Sequence, residues 1–172
     1  MNHVPRHLVI MGAAGSGKTT VATTLSEHLG WIAAEADEFH SAASIAAMTS
    51  GVPLTDEDRW PWLESIRGWM STQAQNGRST IVACSALKRS YREVLCQAEG
   101  RVQFVHLDGA AEVLAERMET RRGHYMPVSL LPSQLEALEP LGQDEDGLTV
   151  DFLQSPGRIS TEILEGLLLA GA

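Results

Sequence analysis

The chain has 172 residues, of which 44% are hydrophobic and 20% are charged, and its net charge at pH 7 is −9. This composition is typical of one globular domain, and no block rich in lysine and arginine supports nucleic-acid binding through a broad basic surface. No apolar run approaches the length of about 18 residues that a membrane-spanning helix needs.

The cysteines and the N-terminus indicate the compartment. Cys84 and Cys96 have neither metal-ligand nor disulfide-framework spacing, which suits a reducing environment. The first twelve residues lack the apolar core and the cleavage site of a signal peptide. We therefore expect a cytoplasmic protein with no nucleic-acid and no membrane partner.

The first half of the chain alternates apolar runs with helical patterns. The run HLVIM (7–11) predicts a buried strand, and KTTVATTLSEHLG (18–30) predicts a helix that ends at Gly30. WIAAEA (31–36) predicts a second strand, and SAASIAAMTSG (41–51) predicts a short helix.

A longer helix is predicted next, from a capping-box pattern formed by Thr55 and Asp58. Pro61 is expected in its first turn, where a missing N–H costs little. Its buried face is expected to carry Trp62, Ile66, Trp69 and Met70.

The second half continues the alternation after STIVACSAL (79–87), the stretch with the strongest strand character. The pattern then predicts a helix, a strand, a helix, an irregular segment, a strand and a helix, over 89–100, 102–108, 110–121, 122–132, 148–153 and 155–170. Such alternation predicts an α/β fold with a parallel sheet covered on both faces. With no repeat and no second domain visible, we expect a single domain over 1–172.

The motif GAAGSGKT (12–19) matches the phosphate-loop pattern G-x-x-x-x-G-K-[ST] and lies between a predicted strand and a predicted helix. Its glycines let the backbone curve around an anion, so that N–H groups and the helix N-terminus point at phosphate oxygens. Lys18 can reach the β- and γ-phosphates, and the Thr19 hydroxyl can bind Mg²⁺. The nucleotide-binding residues expected in this region are Gly12, Gly15, Ser16, Gly17, Lys18, Thr19 and Thr20.

A phosphate loop alone fits GTPases, motor ATPases and kinases of nucleotides or small molecules. The chain is too short for most motors, and it lacks the N-K-x-D motif with which GTPases recognise guanine. Three further clusters of polar residues favour a small kinase.

The first cluster is EADEFH (35–40), at the end of the second predicted strand. Glu35 and Asp37 are two residues apart and project to the same face, at the sheet edge where parallel α/β proteins bind ligands. A carboxylate there can accept a proton from an attacking hydroxyl or hold a Mg²⁺-bound water. The alternative is a solvated strand end.

Cations make up the other two clusters. CSALKRSYR (84–92) sets three of them beside the end of the third predicted strand: Lys88, Arg89 and Arg92. ERMETRRGHY (116–125) sets Arg117 and Arg121 on one helical face and brings Arg122 and His124 into the irregular segment. Phosphoryl transfer depends on positive charge around the migrating group, although solvated helix ends would carry the same residues.

Together these pieces resemble the gluconate kinases (gluconokinases), within the shikimate- and nucleoside-monophosphate-kinase-like group of P-loop proteins. The resemblance runs from Gly12 to about Asp151 and is carried by GAAGSGKTT, ADEFH, MTSGVPLTDEDRWPWL, CSALKRSYR, RRGHYMP and QLEALEP...DE. It implies a three-layer P-loop NTPase sandwich with a five-stranded parallel sheet, a substrate-binding helical segment (about 41–76) and a lid (about 122–132). It also implies ATP- and Mg²⁺-dependent phosphorylation of D-gluconate at the 6-hydroxyl, and homodimers, which the family often forms.

The resemblance implies roles position by position. Lys18, Asp37 and Arg121 would be catalytic, with Asp37 as the base or the carboxylate that orients the hydroxyl. Arg117 and Arg121 would serve the phosphates. Thr19 would bind Mg²⁺ directly and Glu35 through water. The substrate-binding residues it implies are Asp37, His40, Arg59, Lys88, Arg92, Arg122 and His124.

The chain departs from the family pattern on one side of the expected pocket. The family usually has glycine, proline, asparagine and lysine where this chain has Ala36, Ser41, Ser44 and Ala47. Because the helix that carries the last two caps the pocket, another sugar acid or shikimate is the alternative acceptor. From a different class, the alternative is a nucleotide-binding regulator without catalysis.

Overall fold

The structure is a computed structural model that describes residues 3–121 and 126–167. The chain folds around a parallel β-sheet. The sheet has five strands in the order β2-β3-β1-β4-β5. Their bounds are β1 Arg6–Met11, β2 Ile32–Glu35, β3 Thr80–Ala83, β4 Arg101–Asp108 and β5 Gly147–Asp151. The α-helices described are α1 Lys18–Leu29, α2 Ala42–Thr49, α3 Asp56–Gln75, α4 Arg89–Leu95, α5 Ala111–Thr120, α6 Leu131–Ala137 and α7 Pro156–Gly166. Short 3-10 helices span Ala36–Phe39 and Val128–Leu130.

The central strand β1 explains why the sheet is covered on both faces. It pairs in parallel with β3 on one side and with β4 on the other. Leu8 and Ile10 pack with buried residues of α1 and α7, whereas Val9 and Met11 pack with those of α3 and α4. Since successive side chains of a strand point to opposite faces, the apolar residues of β1 belong to two hydrophobic cores, one on each face of the sheet. The three-layer α/β sandwich with five parallel strands is therefore confirmed.

Helix α3 begins at the predicted capping box. The Thr55 hydroxyl accepts from the Asp58 N–H at 3.2 Å, and the Asp58 carboxylate accepts from the Thr55 N–H at 3.0 Å. Trp62 and Ile66 are buried on the face toward the sheet, while Trp69 is half-buried. The prediction for Pro61 is wrong, because a helix that begins at Asp56 carries this proline in its second turn.

The segment after α5 contains more regular structure than the sequence predicted. Residues 122–132 were expected to be irregular, but a 3-10 helix begins at Val128 and leads directly into α6, which the sequence did not predict. Leu130 packs with Met48 and Leu54, so this segment contacts the region around α2. None of the described helices combines the length and the apolar character needed to cross a bilayer.

Candidate active site

The phosphate loop joins β1 to α1 and has a backbone that only glycine tolerates at two points. Gly12 has a φ of +144° and Gly15 a φ of +84°. A Cβ at Gly12 would lie 2.8 Å from the carbonyl oxygen of Leu107, and one at Gly15 would lie 3.0 Å from that of Leu114. The Gly12 N–H donates to the carbonyl oxygen of Ser85 at 3.2 Å. The loop is therefore held against neighbouring strand ends in a curved conformation that suits an anion.

Polar donors of this loop face a cavity. Lys18 is half-buried and its Nζ donates to the carbonyl oxygen of Ala13 at 3.0 Å. Burial lowers the pKa of Lys18, an effect that the carboxylates of Asp37 and Glu35 oppose. The Ser16 hydroxyl is buried and has no hydrogen-bond partner among the residues that the structure describes. A buried hydroxyl and a partly desolvated ammonium both gain from a bound phosphate.

The cavity has a volume of about 570 Å³ and brings together ten of the predicted site residues, six of which are consecutive: Gly15, Ser16, Gly17, Lys18, Thr19 and Thr20. Its wall includes Lys18, Glu35, Asp37, Arg117 and Arg121. Arg121 is exposed, directly after the end of α5, and its charge contributes to the lowered pKa of Lys18. The sequence therefore correctly anticipated that the end of β2 and the end of α5 would meet the phosphate loop.

One edge of the cavity offers oxygen atoms to a cation. Burial raises the pKa of Glu35, while a hydrogen bond from Thr19 acts in the opposite direction. Within the described parts of the chain, no group of three His, Cys, Asp or Glu side chains could hold a metal ion by itself. The Thr19–Glu35 edge fits Mg²⁺, which binds proteins through few side chains and keeps ligands from water and phosphate.

The far end of the cavity combines the predicted Arg117 with residues that the sequence did not single out. The guanidinium of Arg117 donates to the carbonyl oxygen of Gly15 at 3.2 Å and lies 4.8 Å from the ring centroid of Phe152. Phe152, Gln154 and Pro156 follow β5 and line this end. Their position after a parallel strand was the available signal, since ligands bind at the carboxyl ends of such strands.

A second pocket, of about 360 Å³, surrounds Arg59 and Lys88. The Lys88 ammonium lies 3.0 Å from the Asp56 carboxylate and 5.7 Å from the ring centroid of Tyr91. The guanidinium of Arg59 lies 5.6 Å from the same ring, and its buried Nε has no hydrogen-bond partner among the described residues. Asp56 also accepts a hydrogen bond from the Tyr91 hydroxyl, and this bond is the main cause of its lowered pKa. Two cations that line the same pocket suit an anionic ligand.

His40 lies at a third cleft, between α2 and α3. Its ring stacks on Trp62 with 4.2 Å between ring centroids and an interplanar angle of 13°. Burial lowers the pKa of His40 to about 4, with a further lowering from Arg59 and an opposing effect from Asp37. This imidazole is therefore neutral at pH 7 and can donate or accept one hydrogen bond. Ser44 and Ala47 line the same cleft.

The prediction that Arg92 binds substrate needs correction. Its side chain is only 1% exposed, and its Nε lies 2.7 Å from the Glu145 carboxylate. The guanidinium also donates to the carbonyl oxygens of Ala86 and Leu87, at 2.9 and 3.2 Å. Burial alone would raise the pKa of Glu145, but hydrogen bonds from Arg92 and from the Gly142 N–H hold it below its usual range. Arg92 therefore supports the loop before Lys88 instead of facing a pocket.

The remaining predicted residues are Arg122 and His124, which lie outside the residues that the structure describes. Arg89, the third cation of the cluster at β3, is exposed and pairs with Asp144 and Glu93 on the surface. The cluster 84–92 therefore contributes one cation, Lys88, to a pocket. The other two cations of this cluster form ion pairs with acidic residues.

Comparison with known proteins identifies close relatives over almost the whole chain. A sequence model of a family described as an AAA domain matches residues 8–141. A gluconokinase of Gluconobacter oxydans (strain 621H) is 46% identical over 160 residues, which cover 93% of this chain and 90% of that protein. The thermosensitive gluconokinase of Escherichia coli (strain K12) is 35% identical over 161 residues, which cover 93% of this chain and 86% of that protein.

Solved structures agree with these sequence comparisons. An unliganded sugar kinase from Janibacter sp. HTCC2649 superposes with a TM-score of 0.92 at 52% identity and covers 96% of each chain. A gluconokinase from Sinorhizobium meliloti 1021 superposes with a TM-score of 0.85 at 43% identity, covering 98% of this chain and 94% of that one.

Proposed function

Because this chain belongs to the gluconokinase family, we propose that it transfers the γ-phosphoryl group of ATP to the 6-hydroxyl of D-gluconate. The observation that carries this proposal is the cavity in which Lys18 of the phosphate loop and Asp37 line the same wall. The Arg59–Lys88 pocket supplies positive charge for the carboxylate of a sugar acid. Such an arrangement supports a kinase of a small anionic acceptor.

The donor side of the reaction would use the phosphate loop and α5. The loop N–H groups, the Ser16 hydroxyl and the Lys18 ammonium bind the phosphates of ATP. Arg121 provides positive charge that stabilises the migrating phosphoryl group. Arg117, fixed between Gly15 and Phe152, shapes the end of the cavity that receives the rest of the nucleotide.

The acceptor side would use Asp37 as the residue that handles the proton. The Asp37 carboxylate accepts a hydrogen bond from the 6-hydroxyl and then its proton. The oxygen of that hydroxyl forms a bond to the γ-phosphorus, while the bond to the β,γ-bridging oxygen breaks. The products are 6-phosphogluconate and ADP, and the proton passes from Asp37 to solvent. Positioning and charge supply most of the rate enhancement in such a transfer.

Magnesium would be held at the Thr19–Glu35 edge, with Thr19 as a direct ligand and Glu35 acting through water. When bound, it would neutralise charge on the β- and γ-phosphates. The raised pKa of Glu35 fits this role, since a cation beside that carboxylate would stabilise its charged form.

The sugar acid itself would lie between Asp37 and the two cation-bearing elements. Arg59 and Lys88 bind its carboxylate, and the neutral His40 imidazole hydrogen-bonds one of its hydroxyls. In a single domain, residues from about 41 to 76 would be the acceptor-binding segment, and the lid predicted at about 122–132 lies partly outside the residues that the structure describes. A homodimer and a cytoplasmic location remain predictions of the sequence.

Coupled ADP-release kinetics test this function directly. Purified protein with MgATP should release ADP in proportion to added D-gluconate, and shikimate and nucleoside monophosphates should give far lower kcat/KM values. No gluconate-dependent ADP release would refute the proposal. Nucleotide binding with no turnover on any acceptor would identify a non-catalytic regulator.

One observation favours a different sugar acid as a second candidate. The small side chains of Ala43, Ser44 and Ala47 line the cleft next to His40, which has a volume of about 570 Å³. This space would accommodate a longer or substituted acceptor. A set of aldonic acids of different chain length, compared by kcat/KM, would identify such a preference.

A further inference from the structure

Helix α6 is attached to the phosphate loop through one buried side chain, Gln134. Its Oε1 accepts a hydrogen bond from the Ala14 N–H at 2.7 Å, and its Nε2 donates to the Met126 sulfur at 2.9 Å. The residue is 8% exposed. The Ala14 N–H is therefore satisfied by protein, and the phosphates are left to the other N–H groups of the loop.

The location of Gln134 links the two halves of the site. Gln134 lines both the phosphate cavity and the Arg59–Lys88 pocket, so it stands in the wall between them. Glu139, just after α6, donates its N–H to the carbonyl oxygen of Leu87 at 2.8 Å, one residue before Lys88. Leu130, just before α6, packs against the region of α2 through Met48. The segment around α6 thus contacts both the donor side and the acceptor side.

We propose that Gln134 is a positioning residue that holds the phosphate loop at a fixed position relative to the Arg59–Lys88 pocket. This inference rests on the proposed function, because the relative position of the two matters only when a donor phosphate and an acceptor hydroxyl react. Gln134 acts through Ala14 and through α6, and the reacting atoms are contacted by other residues. Without its amide oxygen, the buried Ala14 N–H loses its acceptor, and the loop loses its link to the segment that hydrogen-bonds Leu87, the residue before Lys88.

The substitution Gln134→Met tests the role, because methionine keeps the length and volume of the side chain but cannot accept the hydrogen bond from Ala14. We expect kcat with gluconate to fall about 10- to 100-fold, as displacements of about 1 Å do in oriented reactions. The Kd for MgADP should stay within about threefold of the wild-type value. The ratio of ATP hydrolysed to gluconate phosphorylated should rise, because water attacks a misaligned γ-phosphate more often than the gluconate hydroxyl does.

Two variants serve as comparisons. Glu136→Ala changes an exposed residue of the same helix and should leave kcat, the hydrolysis ratio and Tm unchanged. Gln134→Asn keeps the amide but shortens its reach, and it should behave like Gln134→Met. The positioning role would be overturned if both Gln134 variants kept the wild-type kcat and the wild-type ratio of ATP hydrolysis to gluconate phosphorylation. A lower Tm with no change in that ratio would overturn it as well.

Hydrogen exchange at the Ala14 amide separates this inference from the proposed function. We expect exchange at least about tenfold faster in Gln134→Met than in wild type, because the buried N–H loses its acceptor. Equal protection of the Ala14 amide in the two proteins would refute the attachment of α6 to the loop, whichever molecule the enzyme phosphorylates. A wild-type protein that releases no ADP with gluconate would refute the proposed function instead.

Discussion

The phosphate loop of this molecule and its proposed acceptor-binding side are built in different ways. The phosphate side comes from eight consecutive residues, 12–19, whose backbone conformation creates the anion site. The acceptor side draws single side chains from separate segments, such as His40, Arg59 and Lys88. A local motif therefore specifies the first side, whereas the packing of helices on the sheet determines which side chains reach the second.

The cations of the acceptor side show the consequence. Arg92 and Lys88 belong to the same short cluster, yet the Arg92 side chain is 1% exposed and its guanidinium is fully engaged, whereas Lys88 lines a pocket. Arg59 sits over the Tyr91 ring with a buried Nε that has no partner in the described residues. Cationic side chains in this sequence thus divide between those that form buried ion pairs within the fold and those that line a pocket.

The largest expected effect comes from the substitution Asp37→Asn, which tests whether the end of β2 belongs to the catalytic side. We expect kcat with gluconate to fall by about 10²- to 10⁴-fold, the usual contribution of a positioned acid or base. Binding of MgADP should be no weaker, since a negative charge near the phosphates is removed. Steady-state kinetics and titration calorimetry give the two values. Glu38→Gln, an exposed neighbour, is the control, and an unchanged kcat in Asp37→Asn would remove the catalytic role.

Arg92→Met should reduce stability more than any change on the surface of the same helix. Removing one partner of a buried ion pair leaves the other charge unsatisfied and typically costs about 3–5 kcal/mol. The free energy of unfolding in urea measures this cost. The double variant Arg92→Met/Glu145→Met should recover much of the loss, because no buried charge is then left over.

Arg89→Met provides the matched comparison for Arg92, since Arg89 lies in the same helix and its pair with Asp144 is exposed. Exposed ion pairs contribute little, so its stability should stay close to that of wild type. If Arg92→Met instead keeps wild-type stability and raises only KM for gluconate, the original prediction of a substrate contact returns.

Lys88→Met should show a smaller effect, confined to the acceptor. Loss of one hydrogen bond to a charged group costs about 1.5–3 kcal/mol, which corresponds to a rise of about 10- to 160-fold in KM for gluconate. KM for ATP should not change, because Lys88 lines the acceptor pocket and not the phosphate cavity. Asp56→Asn should raise KM for gluconate less, since it loosens Lys88 without removing the cation. Equal KM values in Lys88→Met and wild type would exclude this pocket as the carboxylate site.

The sequence predicted those parts of the structure that depend on neighbouring residues. The phosphate loop and the capping box at Thr55 follow from local spacing. Glu35 and Asp37 both line the cavity, but Glu35 ends β2 and Asp37 lies in the following 3-10 helix, so the predicted strand alternation does not place them. The contact of Gln134 with Ala14 could not be read in this way, because the two residues are 120 positions apart. The burial of Arg92 likewise depends on its ion pair with Glu145, which is distant in sequence but close in the fold.

The last expected effect concerns the pH dependence of stability at His40. Burial lowers the pKa of its imidazole from 6.5 in an unfolded chain to about 4 in the fold, with Arg59 adding to the shift and Asp37 opposing it. Below pH 6.5 the His40 imidazole is protonated in the unfolded chain but stays neutral in the folded protein until the pH reaches about 4. The free energy of unfolding therefore falls as the pH drops from 6.5 toward about 4. His40→Gln should therefore flatten the decline in the free energy of unfolding between pH 6.5 and 4.5. His7 and His106 also have lowered pKa values and stay in both proteins, so the difference between the two curves isolates His40. Parallel curves would mean that this imidazole is as accessible to protons in the fold as in the unfolded chain.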